Sequence, residues 1–370
     1  MLLVTFHGGP APGINNVYCY DTTTNALLSD QALRNIDSSQ LSELRALVYD
    51  NGYLYVAIGD KSISNVFTFQ HQSSEKPYHF GYVAIFAAAT FQGKDFSTSI
   101  AHPYSLTFDG AGFAYISNQD TNVVARVTVS ANFQTSTLPP DCQSTYLLGQ
   151  SQKLCSSSKC TYLDGTFAAS QNGKLDHVAL VATDVATQYG GLSVDFATTD
   201  KPPKVQNSVR DVGVANGMLF VCDEPSKLIR MYALPSGNYL GSSTLPNKPT
   251  HLTVQNGGLY VSADSGLYWS QLPASSPSPS LSFQNVLTAP VSPYKVGGIS
   301  FNQSNGSGTV YVCFQEGTGK AVGGSIYAYS FTQAASGTQP ALTPGALIAS
   351  SPKDFKDTPE FVLYLPDSLT

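Results

Sequence analysis

One pattern recurs along the 370-residue chain: a short alternating apolar run, a turn built on Asn-Gly or a related Gly pair, and a second run of the Leu-Tyr-Val type. It reads RALVYDNGYLYVA from Arg45, SLTFDGAGFAYIS from Ser105, RDVGVANGMLFVC from Arg210 and HLTVQNGGLYVSA from His251. A looser copy runs from Gly298 to Cys313. Alternation with a period of two marks a strand, and Gly in the turn supplies the positive φ of a tight hairpin. A third strand follows several copies, at 65–69, 123–127, 228–232 and 325–329, and the opening LLVTF and NVYCYD read as the second and third strands of one more. Units of three or four antiparallel strands repeated at this period stack into a β-propeller. Helical solenoids are excluded, because no 3.6-residue periodicity of useful length is present.

The expected class is therefore all-β, a single propeller domain over residues 1–370. The second-strand markers Leu3, Leu54, Ala114, Leu219, Leu259 and Val310 fall 51, 60, 105, 40 and 51 residues apart. The long interval holds either two blades or one blade with an insertion. Six blades are preferred, with residues 139–203 as an inter-blade insertion or degenerate blade, and seven are the alternative. The chain opens on a second strand, so Glu360–Leu365 is expected to supply the first strand of that blade and protect its edge.

Charge narrows the function. Lys and Arg number 19 against 25 Asp and Glu, for a net charge of −6, and no basic run occurs. A phosphate-backbone partner needs a basic face, so nucleic acid is not expected. The longest apolar stretch, Gly81 to Ala89, is too short to cross a bilayer, so no membrane is expected. The N-terminus MLLVTFHGGP has no positive n-region. A cytoplasmic location is preferred, with a secreted protein whose signal peptide has been removed as the alternative. Among the six cysteines, Cys19, Cys222 and Cys313 sit in apolar strand patterns and read as buried thiols. Cys142, Cys155 and Cys160 cluster in one polar segment, where a disulfide would form in a secreted protein. Their spacing lacks a CxxC, which argues against zinc.

Propeller geometry turns the repeat into a site map. The start of each innermost strand and the end of each second strand lie at one end of the central channel. Leu47, Leu106, Val212, Leu252 and Ile299 are expected to pack between blades, and the preceding Ala46, Ser105, Asp211, His251 and Gly298 to face the channel. One step earlier come Arg45, Tyr104, Arg210, Thr250 and Gly297, with His102 nearby. The second strands contribute His7, Asp60, Asn118 with Asp120, Asp223 with Glu224, Asp264, and Gln315 with Glu316. The candidate catalytic residues are His251, Arg210, His102 and Arg45. A guanidinium offers a planar fork of donors to a carboxylate or polarised oxygen, and imidazole is the side chain suited to proton transfer near neutrality. His7, Tyr104, Asn118, Asp211, Asp223 and Tyr268 are candidate substrate contacts. Each has a structural alternative: rim ion pairs for the arginines, packing or turn roles for the histidines, and an Asx-type turn for Asn118, Asp120 and Asn122, where calcium is the ligand alternative. No metal and no cofactor is expected, because nucleophile-elbow, Walker, zinc-helix and dinucleotide-loop motifs are all absent.

The repeats resemble NHL, SMP-30 and strictosidine-synthase-like propellers. The texture around SNQDTNVV, SVRDVGVANG and VCDEPSK is similar to that of fungal propellers of specialised metabolism, the hetero-Diels–Alder enzymes of tropolone-sesquiterpenoid pathways. That resemblance implies a cofactor-free enzyme that activates a hydrophobic small molecule by hydrogen bonding and holds it in orientation, a cyclase or lyase. A uronate lyase or a carbohydrate-binding propeller is the alternative, and an SMP-30-like metal-dependent lactone hydrolase stands further back.

Overall fold

The computed structural model describes residues 1–8, 13–37, 40–59, 65–72, 79–88, 102–119, 123–128, 151–156, 159–164, 209–234, 239–264, 266–274, 279–290, 294–304, 306–316 and 323–366. The first strands are β1 (Leu2–Phe6), β2 (Tyr18–Tyr20), β3 (Leu27–Ser29) and β4 (Leu33–Arg34). The next meander is β5 (Leu44–Asp50), β6 (Tyr53–Ile58), β7 (Asn65–His71) and β8 (Phe80–Ala88), and β4 adds to it beside β8. Then come β9 (Pro103–Phe108), β10 (Phe113–Asn118) and β11 (Val123–Thr128), followed by a separate pair, β12 (Ser151–Ser156) and β13 (Lys159–Asp164). Two four-stranded sheets follow: β14 (Val209–Ala215), β15 (Met218–Asp223), β16 (Leu228–Ala233), β17 (Tyr239–Thr244); and β18 (Pro249–Gln255), β19 (Gly258–Ala263), β20 (Gly266–Gln271), β21 (Gln284–Thr288). The last are β22 (Lys295–Ser304), β23 (Ser307–Gln315), β24 (Gly324–Thr332), β25 (Ala341–Ser350) and β26 (Pro359–Tyr364).

The all-β propeller class stands, and the blade count is corrected. Among the described residues five sheets carry the four or five strands of a complete blade, not six or seven. The sheet β9–β11 has three strands among the described residues, and none of the described residues is α-helical. The physical reason is that the hairpin signature reads only the two inner strands of a unit and is blind to its outer ones. Apart from β12 and β13, the expected insertion at 139–203 lies outside the described residues.

Asn-Gly turns close three of the hairpins as expected. Both central residues have positive φ at Asn51-Gly52, Asn216-Gly217 and Asn256-Gly257, the conformation whose twist matches the flanking strands. Inner strands pack side by side about the axis in the order β26, β5, β9, β14, β18, β22 and back to β26. The closing strand β26 runs antiparallel to β1, with Leu2 opposite Tyr364 and Val4 opposite Val362. Between blades the inner-strand column Leu47, Val212, Leu252, Ile299 and Val362 enters separate buried clusters. Each such side chain contributes about 1.5–3 kcal/mol on burial.

A feature that strict alternation could not reveal occurs at one level of every inner pair. The register slips between Leu44 and Leu47, around Tyr104, between Val209 and Val212, at Thr250, between Val296 and Ile299, and between Val4 and Phe6 opposite Glu360. A bulge re-aims side chains and leaves backbone groups off the ladder. Small side chains of the second strands satisfy these groups. Thr5 Oγ1 donates to the Arg45 carbonyl at 2.9 Å and accepts from the Phe361 amide at 3.2 Å. Ser262 Oγ donates to the Gly297 carbonyl at 2.6 Å, and the Cys313 thiol reaches the carbonyls of Gly298 and Glu360 at 3.3 and 3.2 Å. Cys19, Cys222 and Cys313 are buried free thiols, as expected. Gly298 is required where it stands, since a Cβ there would lie 2.8 Å from the Phe361 Cα of the neighbouring strand.

Candidate functional site

The bulged level lies at the upper end of the channel, where the inner strands begin, and it collects most of the expected residues. Arg45, Tyr104, His102, Asp211 and His251 are all buried there. Two residues missing from the sequence-based site, Glu360 and Phe361, complete the layer from β26. Aligning the expected closing strand with the other inner strands puts Glu360 in the Arg45 and Arg210 column and Phe361 in the Asp211 and His251 column. The signal was present, but it was not read across the chain closure.

The charged part of the layer is internally neutralised. Arg45 lies 3.3 Å from Glu360 Oε1 and 3.3 Å from Glu43 Oε2. His7 Nδ1 donates to Glu360 Oε1 at 2.8 Å, and Gln315 Nε2 donates to Oε2 at 2.9 Å. Burial opposes the Glu360 charge, but Arg45 and His7 together outweigh it and hold the carboxyl at about 2. Arg210 donates through Nε to Glu224 Oε2 at 2.8 Å and through a second nitrogen to Gln119 Oε1. Its guanidinium carbon sits 4.9 Å from the Tyr104 ring centroid, a cation–π contact. The structure thus places both arginines in ion pairs with the chain's own carboxylates.

Other expected residues fall elsewhere. His102 packs its ring onto Gly59 and enters β9 with φ at 51°, while its Nε2 lies 3.9 Å from Glu43 Oε2. Asn118 turns its amide onto the Ile116 carbonyl at 3.1 Å. Asp223 is bound by Arg230 of β16, whose Nε donates at 2.8 Å, and both side chains are buried inside the blade. Arg230 was not anticipated from sequence. Tyr268 lies on the third strand of its blade, where its hydroxyl accepts from Asn247 at 2.8 Å. It is not brought to the channel layer. Asp264 accepts the Lys248 amide at 3.2 Å. Asp60, Asp120, Asn122 and Cys142 lie outside the described residues. Cys155 and Cys160 face each other across β12–β13. Among the described residues no group of three or more His, Cys, Asp or Glu could hold a metal ion, and no helix is long and apolar enough to cross a membrane.

Below the layer, toward the hairpin turns, the inner strands enclose a cavity of about 340 Å³. Its wall carries aliphatic and small hydroxyl side chains, among them Leu106, Thr107, Val214 and Thr253, and its ionisable side chains are Asp211 and His251. Both belong to the column expected to face the channel.

Burial acts on these two groups in opposite electrostatic senses. It raises Asp211 to about 7, against hydrogen bonds from the Ser105 hydroxyl and the Leu252 and Val212 amides. Those amides lie 2.9 and 2.8 Å from the carboxylate oxygens. Burial lowers His251 to about 4; Glu360 opposes the shift, and Arg210 and Arg45 add to it. His251 Nε2 meets the Tyr104 hydroxyl at 3.1 Å, and its ring sits edge-on to Phe361 at 4.4 Å between centroids. Burial also pushes the Tyr104 phenol well above its ordinary range, so it keeps its proton. With the phenol as donor to Nε2 the imidazole proton sits on Nδ1, and with the ring as donor it sits on Nε2. The Nδ1 atom is buried and has no hydrogen-bond partner among the described residues.

Comparison with known proteins establishes the fold and stops there. No protein-family model matches the chain, and no curated protein matches it. A protein of unknown function from Bacteroides caccae is similar in structure with a TM-score of 0.51 at 12% identity, covering 98% of this chain and 97% of its own. A functionally unknown protein from Desulfotomaculum acetoxidans has a TM-score of 0.46 at 11% identity, with 97% and 98% covered. The β-propeller domain of Cps50 (Swd1) from Myceliophteria thermophila has a TM-score of 0.43 at 10% identity, with 95% and 84% covered. Likeness at such identities speaks to fold alone. The resemblance to NHL, SMP-30 and strictosidine-synthase-like families is thereby reduced to a β-propeller. The description as a six-bladed fungal Diels–Alder enzyme, cyclase or lyase is withdrawn: the complete blades among the described residues number five, and none of the structures named above carries the remaining terms.

Proposed function

We propose that the protein is an enzyme that takes a small, largely apolar molecule into its central channel and activates it by hydrogen bonding from the polar end of the cavity. The observation that carries this reading is the cavity itself. About 340 Å³ falls within the range of small-molecule sites, and its wall combines aliphatic side chains with polar groups, the Asp211–His251 end among them. A polyanionic glycan would need an unneutralised guanidinium, whereas Arg45 and Arg210 already face Glu360 and Glu224.

The test is a thermal-shift comparison of apolar carbonyl compounds with acidic oligosaccharides, repeated on Gly213→Val. A Cβ at Gly213 would lie 2.5 Å from Leu252 Cδ1, so a larger side chain crowds the channel wall. Ligand at 100 times its Kd stabilises the native state by about 2.7 kcal/mol, a rise of several degrees. The expected result is stabilisation by the apolar set, lost in the variant. Stabilisation by acidic glycans alone, or an apolar shift that survives Gly213→Val, would remove the channel from consideration.

A further inference from the structure

The two ionisable groups of the cavity are unlike in what they can offer. Asp211 accepts one backbone amide on each oxygen and a serine hydroxyl besides, which leaves a lone pair of the carboxylate uncommitted. His251 is anchored through Nε2 by Tyr104, and in the tautomer in which the phenol donates, its Nδ1–H is a buried donor without a partner among the described residues. Phe361 and Tyr104 pack against the imidazole and against each other, which fixes the ring. A base and a neutral donor at one end of a cavity are the two parts needed to take a proton from carbon next to a carbonyl. The base receives the proton, and the donor meets the oxygen on which negative charge grows.

Resting on the small-molecule reading above, we propose that the channel binds an enolisable carbonyl compound, and that Asp211 removes the proton α to the carbonyl while His251 Nδ1 donates a hydrogen bond to the carbonyl oxygen. The C–H bond breaks and its electron pair becomes the C=C bond of an enolate. The carbonyl π pair moves onto oxygen, and the proton resides on Asp211. Returning that proton to the same carbon exchanges or inverts the centre, and returning it to a conjugated carbon shifts a double bond. No oxidant, reductant or co-reactant is consumed.

The surroundings of each group favour its part. Burial brings Asp211 to about 7, where a carboxylate is a stronger base than in water and its conjugate acid can return the proton at neutral pH. His251 stays neutral above about 4, so it donates a hydrogen bond without first losing a charge. Tyr104 is a positioning residue that acts through His251.

The experiment incubates the full chain in heavy water with β-tetralone, which has α-protons, and with benzophenone, which has none. Thermal shift reports binding and proton NMR reports exchange. The expected result is that both ketones bind and that the α-protons of β-tetralone exchange faster with the protein than without it. The rate should rise with pH through about 7 as Asp211 ionises. Asp211→Asn should lower it about 10²-fold or more while benzophenone still binds. His251→Asn, whose amide nitrogen replaces Nδ1, should retain more activity than His251→Leu. Both ketones binding, with exchange no faster than in Asp211→Asn, overturns the proton-abstraction step and leaves the channel reading intact. If neither ketone binds, the channel reading fails and this proposal fails with it.

Discussion

Two buried carboxylates stand at the bulged level of different inner strands, and their surroundings drive them apart. Glu360, in the upper layer, is held at about 2 by Arg45 and His7. Asp211, at the end of the cavity, has only amides and a hydroxyl for partners and rises to about 7. Both are buried, so burial does not by itself decide the charge of a carboxyl; the presence of a cation within reach does. The upper layer uses its charges to tie strands together. The cavity holds a carboxyl that is hydrogen-bonded by amides and a hydroxyl and faces no cation.

The contrast breaks most visibly at Arg45. Replacing it by Met leaves Glu360 buried without its guanidinium, and removing one partner of a buried pair costs about 3–5 kcal/mol. Urea denaturation at neutral pH should show this loss, and Arg45→Met combined with Glu360→Met should recover much of it. A single-variant loss below about 1 kcal/mol would mean that the layer is not held by charge.

The pH dependence of stability sharpens the same contrast. Asp211 has a folded value of about 7 against an ordinary 3.8, so the native state holds an extra proton between the two. Its stabilising contribution is full at low pH and is lost as pH rises through about 7. Glu360 has the opposite sign: its contribution is full above its ordinary 4.5 and is lost as pH falls toward about 2. His251, lowered from 6.5 to about 4, loses its contribution as pH falls across that interval and partly offsets Asp211 there. Asp211→Asn should therefore gain stability relative to the parent between pH 5 and pH 8, with each pKa unit worth about 1.4 kcal/mol. Parallel melting curves for parent and variant across that range would show that the carboxyl is not buried unpaired.

The smallest effect is expected at Tyr104. Tyr104→Phe removes one hydrogen bond, about 1 kcal/mol in stability, and releases the His251 tautomer. Ketone exchange should slow several-fold while benzophenone binding is unchanged. An equal loss in both would make Tyr104 part of the packing and nothing more.

Much of the ring was legible in the sequence because hairpin chemistry is local. Asn51-Gly52 and its counterparts announce both the turn and the two strands it joins, and Glu360–Leu365 could be placed because the chain opens on a second strand. Outer strands carry no such mark, so the β9–β10 hairpin counts as a blade in the sequence although its sheet has three strands among the described residues. The channel-facing column was also legible, since Asp211 and His251 follow from counting by two along each strand. What period two could not convey is the bulge at the level of Arg45, Tyr104, Arg210, Thr250 and Gly297. Nor could local reading pair Arg45 with Glu360, 315 residues away, or Asp223 with Arg230 across a strand pair.

Closure of the ring by β26 has a consequence for biosynthesis. Phe361 touches both Tyr104 and His251, and Glu360 neutralises Arg45. All three interactions wait on β26, which follows the other described strands in sequence and must pair with β1. A growing chain can fold individual hairpins, but until β26 docks β1 lacks a neighbour on that edge and Arg45 has Glu43 alone as its carboxylate. Assembly of the layer around His251 is thereby coupled to closure of the ring.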